Sequence, residues 1–399
     1  MGREETQSLT RTILFFLSLL LPFSADALEL KFLAEQTLSS SLKFKKTKVG
    51  GLSGLYYEAS TGALYAISDD RGMVNEPRIY EMKLDLSDHG ITVKPEKVIS
   101  LSANETAFAH KSSKSKSSIF SKVLDLEGIS LTPWGDFLLV NEGDANKRPR
   151  VSPQVLDVKK DGTIFRSFDV PADFLPEPSG RQTKGAQNNM AFEGLAASLD
   201  GKHWVVATEA PLVQDGGKGI SGVRFLVYEM SEAWMIKPVQ QWLYPLDNQG
   251  SEKKSLMDFQ RGISEVHFLD EKRLLVMERA VVVNSGGIQF EVNIYEVDLG
   301  DLLTKKKTTS EGLDSEPLEK LSKKLVLSLS SLEKKLGHIE NFEGMTLGPP
   351  LSDGRKTLIL VSDNNFMRNL RTQFLLFEVK ESGHEQVNQT NSLETAHGR

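Results

Sequence analysis

At 399 residues the chain could hold two or three ordinary domains or one closed ring of repeats, and 39% apolar with 8% aromatic residues excludes a disordered polymer. The formal charge is −6, and −5 without the first 27 residues, which carry two basic and three acidic groups, so there is no general attraction to nucleic acid. With no cysteine anywhere, disulfides are excluded and the fold must close by other means.

The chain begins with an export signature. Arg3 and Arg11 form a basic region, Ile13 to Leu21 an apolar run, and Ala25-Asp26-Ala27 a small-x-small cleavage site. This predicts a signal peptide over residues 1–27, a mature chain starting at Leu28, and an extracytoplasmic location, periplasmic or secreted. The run is too short to span a bilayer comfortably, and no later segment is long and apolar enough to cross one. Asn104 and Asn388 head Asn-x-Thr sequons, which matter only in a eukaryotic secretory pathway.

Leu28 to Leu38 alternates as a strand. A skeleton then recurs five times: an acid and a glycine opening a short apolar strand, a Gly/Asp/Pro turn, a more hydrophobic strand, and a closing acid. The copies are Gly51 to Asp70, Asp125 to Asp144, Ala191 to Ala210, Arg261 to Ala280 and Asn341 to Asn365, with opening glycines at Gly54, Gly128, Gly194, Gly262 and Gly344. Each copy is followed by further strand candidates: Arg78 to Leu84 and Lys97 to Leu101; Gln154 to Val158 and Thr163 to Val170; Arg224 to Met230 and Val239 to Leu246; Val292 to Leu299 and Lys324 to Leu329. The fifth has only Phe374 to Val379.

The last repeat is one strand short and the N-terminus has one in excess. The reading is an all-β propeller of five four-stranded blades, with six as the alternative count, closed by the N-terminal strand pairing with the C-terminal blade. Ser102 to Lys122, Pro171 to Met190, Asp247 to Phe259 and Leu302 to Glu319 read as polar surface loops between blades, the Ser/Lys tract His110 to Ser118 as a solvated loop. The propeller domain is expected over residues 28–380, with 381–399 a disordered tail.

In a propeller the start of each innermost strand and the end of the second meet at one mouth of the channel. The second-strand ends carry Asp69, Glu142, Glu209, Glu278 and Asp363; the first-strand starts carry Ser53, Glu127, Glu193, Arg261 and Glu343. Asp70, Arg71, Arg279 and Arg368 are expected nearby. Crowded carboxylates call for a compensating cation, and calcium suits an all-oxygen shell of acids and asparagines (Asn141, Asn188, Asn189, Asn341, Asn364, Asn365). Zinc or copper would want cysteine or clustered histidine, and the seven histidines are scattered.

Each acid also has a purely structural reading, accepting backbone N–H groups or pairing with a neighbouring blade's arginine. The basic run Lys147, Arg148, Arg150, with Arg181 and Lys184, could meet an anionic substrate, or simply be solvated. Gly51-Leu52-Ser53-Gly54 lacks the serine-hydrolase spacing, and Gly216-Gly217-Lys218-Gly219 lacks that of a phosphate-binding loop.

Taken together, GLSGLYY…LYAISDDRG, DLEGISL…LLVNEG, NNMAFEGLA…VVATEAPL and NFEGMTLG…LILVSDNNF resemble the phytase-like domain family with esterase-like activity of phytase, over about Val49 to Val379. The resemblance implies an exported, propeller-type protein with a phytase-like hydrolase label. Propeller alkaline phytases, similar only in architecture, hold calcium at a carboxylate-lined mouth. The fourth repeat departs from the acidic pattern with Arg261, and the first with Ser53.

The expected function is therefore calcium-dependent hydrolysis of a small anionic phosphate ester by a monomer. Asp69, Glu127, Glu142, Glu193, Glu209, Glu343 and Asp363 would hold metal, and Glu193, Glu127 and Arg71 would act on the substrate. The alternatives are a non-catalytic propeller that binds a ligand or protein with structural calcium, and a calcium-dependent lactone or carboxylic ester hydrolase.

Overall fold

The computed structural model describes residues 28–103, 124–216, 222–247, 261–285, 287–305 and 318–381. The expected signal peptide, both sequons, the Ser/Lys tract and residues 382–399 lie outside the described residues, as does the expected loop 247–259 apart from Asp247.

Strand β1 (Leu28–Leu38) and a small hairpin of β2 (Lys43–Phe44) and β3 (Thr47–Lys48) precede blade one, which is β4 (Leu52–Glu58), β5 (Ala63–Ser68), β6 (Arg78–Ser87) and β7 (Gly90–Ser100). After β8 (Ser102–Ala103), blade two is β9 (Leu126–Leu131), β10 (Phe137–Asn141), β11 (Gln154–Val158) and β12 (Thr163–Phe168). Blade three is β13 (Phe192–Ala197), β14 (His203–Thr208), β15 (Val223–Met230) and β16 (Ile236–Tyr244). Blade four is β17 (Gly262–Phe268), β18 (Arg273–Asn284), β19 (Gly287–Asp298) and, after β20 (Glu319–Lys320), β21 (Lys323–Ser328). Blade five is β22 (Phe342–Gly348), β23 (Thr357–Ser362) and β24 (Thr372–Glu381), with β1 hydrogen-bonded to β24 as its outer strand.

The innermost strands touch in a cycle, β4 to β9 to β13 to β17 to β22 and back to β4, so the chain is an all-β propeller of five four-stranded blades. Why the second strands are so apolar follows from this ring. Each sheet is covered on both faces, so alternate residues of one strand enter different cores. In β10, Phe137 and Leu139 pack between blades one and two while Leu138 and Val140 pack between two and three. In β23, Leu358 and Leu360 face blade four, and Ile359 and Val361 face blade one. Five clusters fill the five interfaces, and truncating one of these leucines to alanine costs about 2–5 kcal/mol.

The expected linkers are not all surface loops between blades. Within Pro171 to Met190 a short 3-10 turn, Ala172–Phe174, puts Phe174 in the core between blades two and three, its ring centroid 5.7 Å from that of Phe192. Leu302 to Glu319 falls in sequence between β19 and β21, two strands of the same blade four, and β20 at its end adds a parallel edge to β16 of blade three. In the same way β8 adds a parallel edge to β12. Polar composition marked these segments as loops, but a pair of backbone hydrogen bonds at a sheet edge leaves almost no compositional trace.

Candidate functional site

In four of the five blades one end is built by the same two hydrogen-bonded positions. The N–H of Asp69 donates to the Gly51 carbonyl at 2.6 Å, that of Glu142 to Asp125 at 2.9 Å, that of Glu209 to Ala191 at 2.7 Å and that of Asp363 to Asn341 at 2.8 Å. Each inner strand then bulges within its first residues, between Leu52 and Leu55, Phe192 and Leu195, Ile263 and Glu265, and Phe342 and Gly344, with the matching shift in blade two. A bulge bends the strand and re-aims the side chain beside it. The glycine after each Glu or Ser has a packing reason: a Cβ on Gly54 would lie 2.4 Å from the Glu127 carbonyl oxygen, and one on Gly128 2.7 Å from that of Glu193. Neighbouring inner strands approach too closely for a side chain there.

Blade four breaks the pattern, and not where the sequence placed the break. The register pairs Ile263 with Glu278 and Gly262 with Arg279, as Phe192 pairs with Thr208 in blade three. Arg279 therefore takes the position of the closing acid, Ser264 that of the opening acid, and Glu265 that of the glycine, three residues beyond the expected Gly262. Glu278 and Arg261 do not belong to the mouth. Glu278 accepts from the Tyr244 hydroxyl at 2.8 Å and pairs with Lys323, and Arg261 pairs with Glu291 at 2.8 Å.

The mouth holds a cavity of about 420 Å³, lined by Asp69, Arg71, Glu127, Glu193, Arg279 and Glu343, with Asp70, Met73, Val74, Asn189, Asn365 and Phe366 around them. Around its lining acids, one oxygen from each of Asp69, Asp125 and Glu127 lies within 4.8 Å of the others, and so does one from each of Glu142, Glu193 and Glu209. Asp363 is buried beside Glu343 and Asp69, and its Oδ1 accepts the Asn365 N–H at 2.8 Å. Seven of the eight carboxylates expected at one rim thus sit together, and Glu278 is the exception.

Arg279 Nη2 donates to Glu209 at 2.7 Å, and its Nη1 to Asn341 at 2.8 Å and to Glu343. Arg71 Nε pairs with Asp125 at 2.7 Å, and its Nη2 donates to Asn189. Two arginines do not neutralise so many acids. Burial first, then the neighbouring carboxylates, pushes Glu127, Glu193, Asp69 and Asp363 well above the usual carboxylate range. For the same reasons Asp125 rises to about 7 and Glu142 to about 8, the latter although the Ala191 N–H favours its charged form. Burial also raises Glu343, against the pull of Arg279.

Other expected participants are used structurally. Ser53 Oγ donates to the Leu126 carbonyl at 3.0 Å, Asn141 Oδ1 accepts the Asp125 N–H at 2.7 Å, Asn364 Oδ1 accepts from Gly51 at 3.0 Å, and Asn188 accepts from Asn146 at 3.1 Å. Asp70 closes a fully buried pair with Arg78 that fixes the following loop. Arg150 is tied to the carbonyls of Glu177 and Gly180, and the basic run, Arg181, Lys184 and Arg368 do not line the cavity. Asp125 was the participant not expected. It stands where the other repeats have Gly, Ala or Asn, so the repeat gave no reason to single it out.

A closed ring of five blades gathering eight acids, six of them buried, and two arginines at one mouth defines a propeller with a carboxylate-lined site. The chain belongs to the phytase-like family described as having esterase-like activity of phytase, whose sequence profile matches residues 47–366. No curated protein matches it. Among solved structures it is similar to an endo-arabinase from Bacteroides thetaiotaomicron (12% identity, covering 84% of this chain and 94% of that one, TM-score 0.42). A luciferin-regenerating enzyme (11%, 87% and 96%, TM-score 0.38) and the catalytic domain of an α-L-arabinofuranosidase from Coprinopsis cinerea (8%, 90% and 98%, TM-score 0.35) are also similar. At these identities and TM-scores the likeness says nothing of activity.

Proposed function

We propose that the mouth is the active site of an exported, monomeric hydrolase that cleaves small phosphoric esters with calcium bound among its carboxylates. The supporting observation is the pair of carboxylate triads whose oxygens approach within 4.8 Å. That spacing suits oxygens sharing an ion at roughly 2.3–2.6 Å each. Glu142 Oε2 and Asp69 Oδ1 are buried without a hydrogen-bond partner among the described residues, as ligand oxygens awaiting a cation would be.

Asp69, Glu127, Glu142, Glu193, Glu209, Glu343 and Asp363 would hold the metal, joined by Asp125. When bound, calcium supplies positive charge that polarises a phosphoryl oxygen and acidifies water. Glu127 and Glu193, close enough for Glu193 to raise Glu127, orient the attacking water and can take its proton. Arg71, held from behind by Asp125 and Asn189, steadies the charge that develops on the phosphoryl oxygens. Export rests on the N-terminal sequence; among the described residues no helix is long and apolar enough to cross a membrane.

Purified protein should release phosphate from phosphomonoesters or diesters when calcium is added, and Glu193→Gln should abolish it. No release from any such ester with calcium present would sink the proposal. Arg279 favours a second reading, a non-catalytic propeller with structural calcium, because it already bridges Glu209 and Glu343 and so partly neutralises the ring without a ligand. Calcium-dependent stabilisation without turnover would select it, and turnover of aryl carboxylic esters alone would select a calcium-dependent carboxylic ester hydrolase.

A further inference from the structure

We propose that this mouth selects esters carrying an apolar aryl or alkyl group, and discriminates against polyanions such as inositol polyphosphates. The inference rests on the mouth being the ligand site, and it adds the chemistry of the group attached to the ester.

Two loops, 69–77 after β5 and 363–371 after β23, rise from adjacent blades on one side of the cavity. They present Met73, Val74 and Phe366 to it, with Met367 beside Phe366. Met73 is 84% exposed, Val74 44% and Met367 49%, so this apolar edge has no internal partner of its own. An exposed apolar patch continuous with a polar cavity fits a ligand with one charged end and one greasy end.

The edge is preformed. The buried Asp70–Arg78 pair anchors the first loop, and the Asp70 carboxylate also accepts the N–H of Asn75 at 2.9 Å. Asn75 in turn accepts the Lys48 N–H at 2.9 Å. In the second loop the Phe366 ring lies on Gly51, where a Cβ would come within 2.5 Å of it, and Lys48 Nζ sits 5.4 Å from the ring centroid. Arg71, Asn365 and Phe366 are all left-handed, with φ of 49°, 45° and 53°. Non-glycine residues hold that conformation only where their surroundings over-determine it, and such residues cluster at ligand clamps.

The charge balance argues against a polyanion. Among the described residues the only cations lining the cavity are Arg71 and Arg279, and each is already engaged, Arg71 with Asp125 and Arg279 with Glu209 and Glu343. A ligand with many phosphates would meet a carboxylate floor and an apolar wall, whereas one phosphate with one hydrocarbon group matches both.

The test is calorimetric binding to the full chain with calcium present, using the non-hydrolysable series methylphosphonate, phenylphosphonate and naphthylmethylphosphonate, with inositol hexakisphosphate alongside. Affinity should climb along the series, the naphthyl member binding about tenfold tighter than the methyl one as the extra apolar area is buried. In the Met73→Ser/Val74→Ser variant, whose altered side chains face water, that gain should fall below about threefold with methylphosphonate binding unchanged. Equal affinities along the series overturn the proposal. So do tighter binding of inositol hexakisphosphate, binding of none of the four ligands, or association only with phosphatidylcholine vesicles. Turnover is measured separately with naphthyl phosphate: a binding ladder without turnover leaves the selectivity standing and removes the hydrolase reading alone.

Discussion

Replacing Arg279 with methionine keeps most of the side chain's volume and removes the guanidinium that joins Glu209 of blade three to Glu343 of blade five. Both carboxylates stay in place, and Glu193, whose charge Arg279 also favours, loses that support. Breaking a buried ion pair by removing one partner costs about 3–5 kcal/mol, because the remaining charge is left uncompensated. The cost should depend on pH with a definite sign. Burial raises Glu193 and Glu343, so the missing cation should matter less at pH 5 than at pH 8, because the carboxyls around it are less ionised at the lower pH. Urea denaturation followed by tryptophan fluorescence reports on the buried Trp204 and Trp242, and calcium should recover part of the loss at pH 8. A penalty under about 1 kcal/mol at pH 8, or one equal at both pH values, would refute the view that Arg279 balances the acid ring.

Without divalent ions the wild-type protein should lose stability as pH rises. Folded-state values pushed up to about 7 for Asp125 and about 8 for Glu142 mean that the folded form holds protons that the unfolded chain, titrating near 4, releases; the contribution is full below about pH 4 and fades through pH 8. A urea midpoint that instead increases over this range with EGTA present would contradict the burial of these acids. Glu265→Ala should destabilise by about 2–5 kcal/mol, since Glu265 Oε1 accepts the N–H groups of Leu195 and Val266, each at 3.0 Å, and both would be left buried and unpaired; an unchanged midpoint would show that the amides find other partners. Gly128→Ala should cost about 1–3 kcal/mol or more, because the new methyl meets the Glu193 carbonyl oxygen at 2.7 Å, and a neutral outcome in the same assay would show that the inner strands can part without loss.

The five repeats, their apolar second strands and the acids that close them were legible because both depend on local order. Alternation within a strand decides which residues lie on each face, and a turn followed by a second strand brings the two ends of a hairpin together whatever surrounds them. From that alone Asp69, Glu127, Glu142, Glu193, Glu209, Glu343 and Asp363 fall at one mouth. Blade four was different. Arg261-Gly262 imitates the Glu-Gly opening, yet the ladder shifts so that Glu265 stands in the glycine's place and Arg279 in the acid's. The shift is stabilised by contacts outside the hairpin: the Glu265 carboxylate caps an N–H of blade three, and Arg279 joins acids of blades three and five. Asp125 entered the site for a similar reason, through proximity to Arg71 of another blade. Sequence by itself determined the blades and the acidic character of the mouth, since those follow from spacing along the chain. Tertiary structure alone decided which charges compensate one another, because Coulomb energy depends on distance in space and the partners come from different blades.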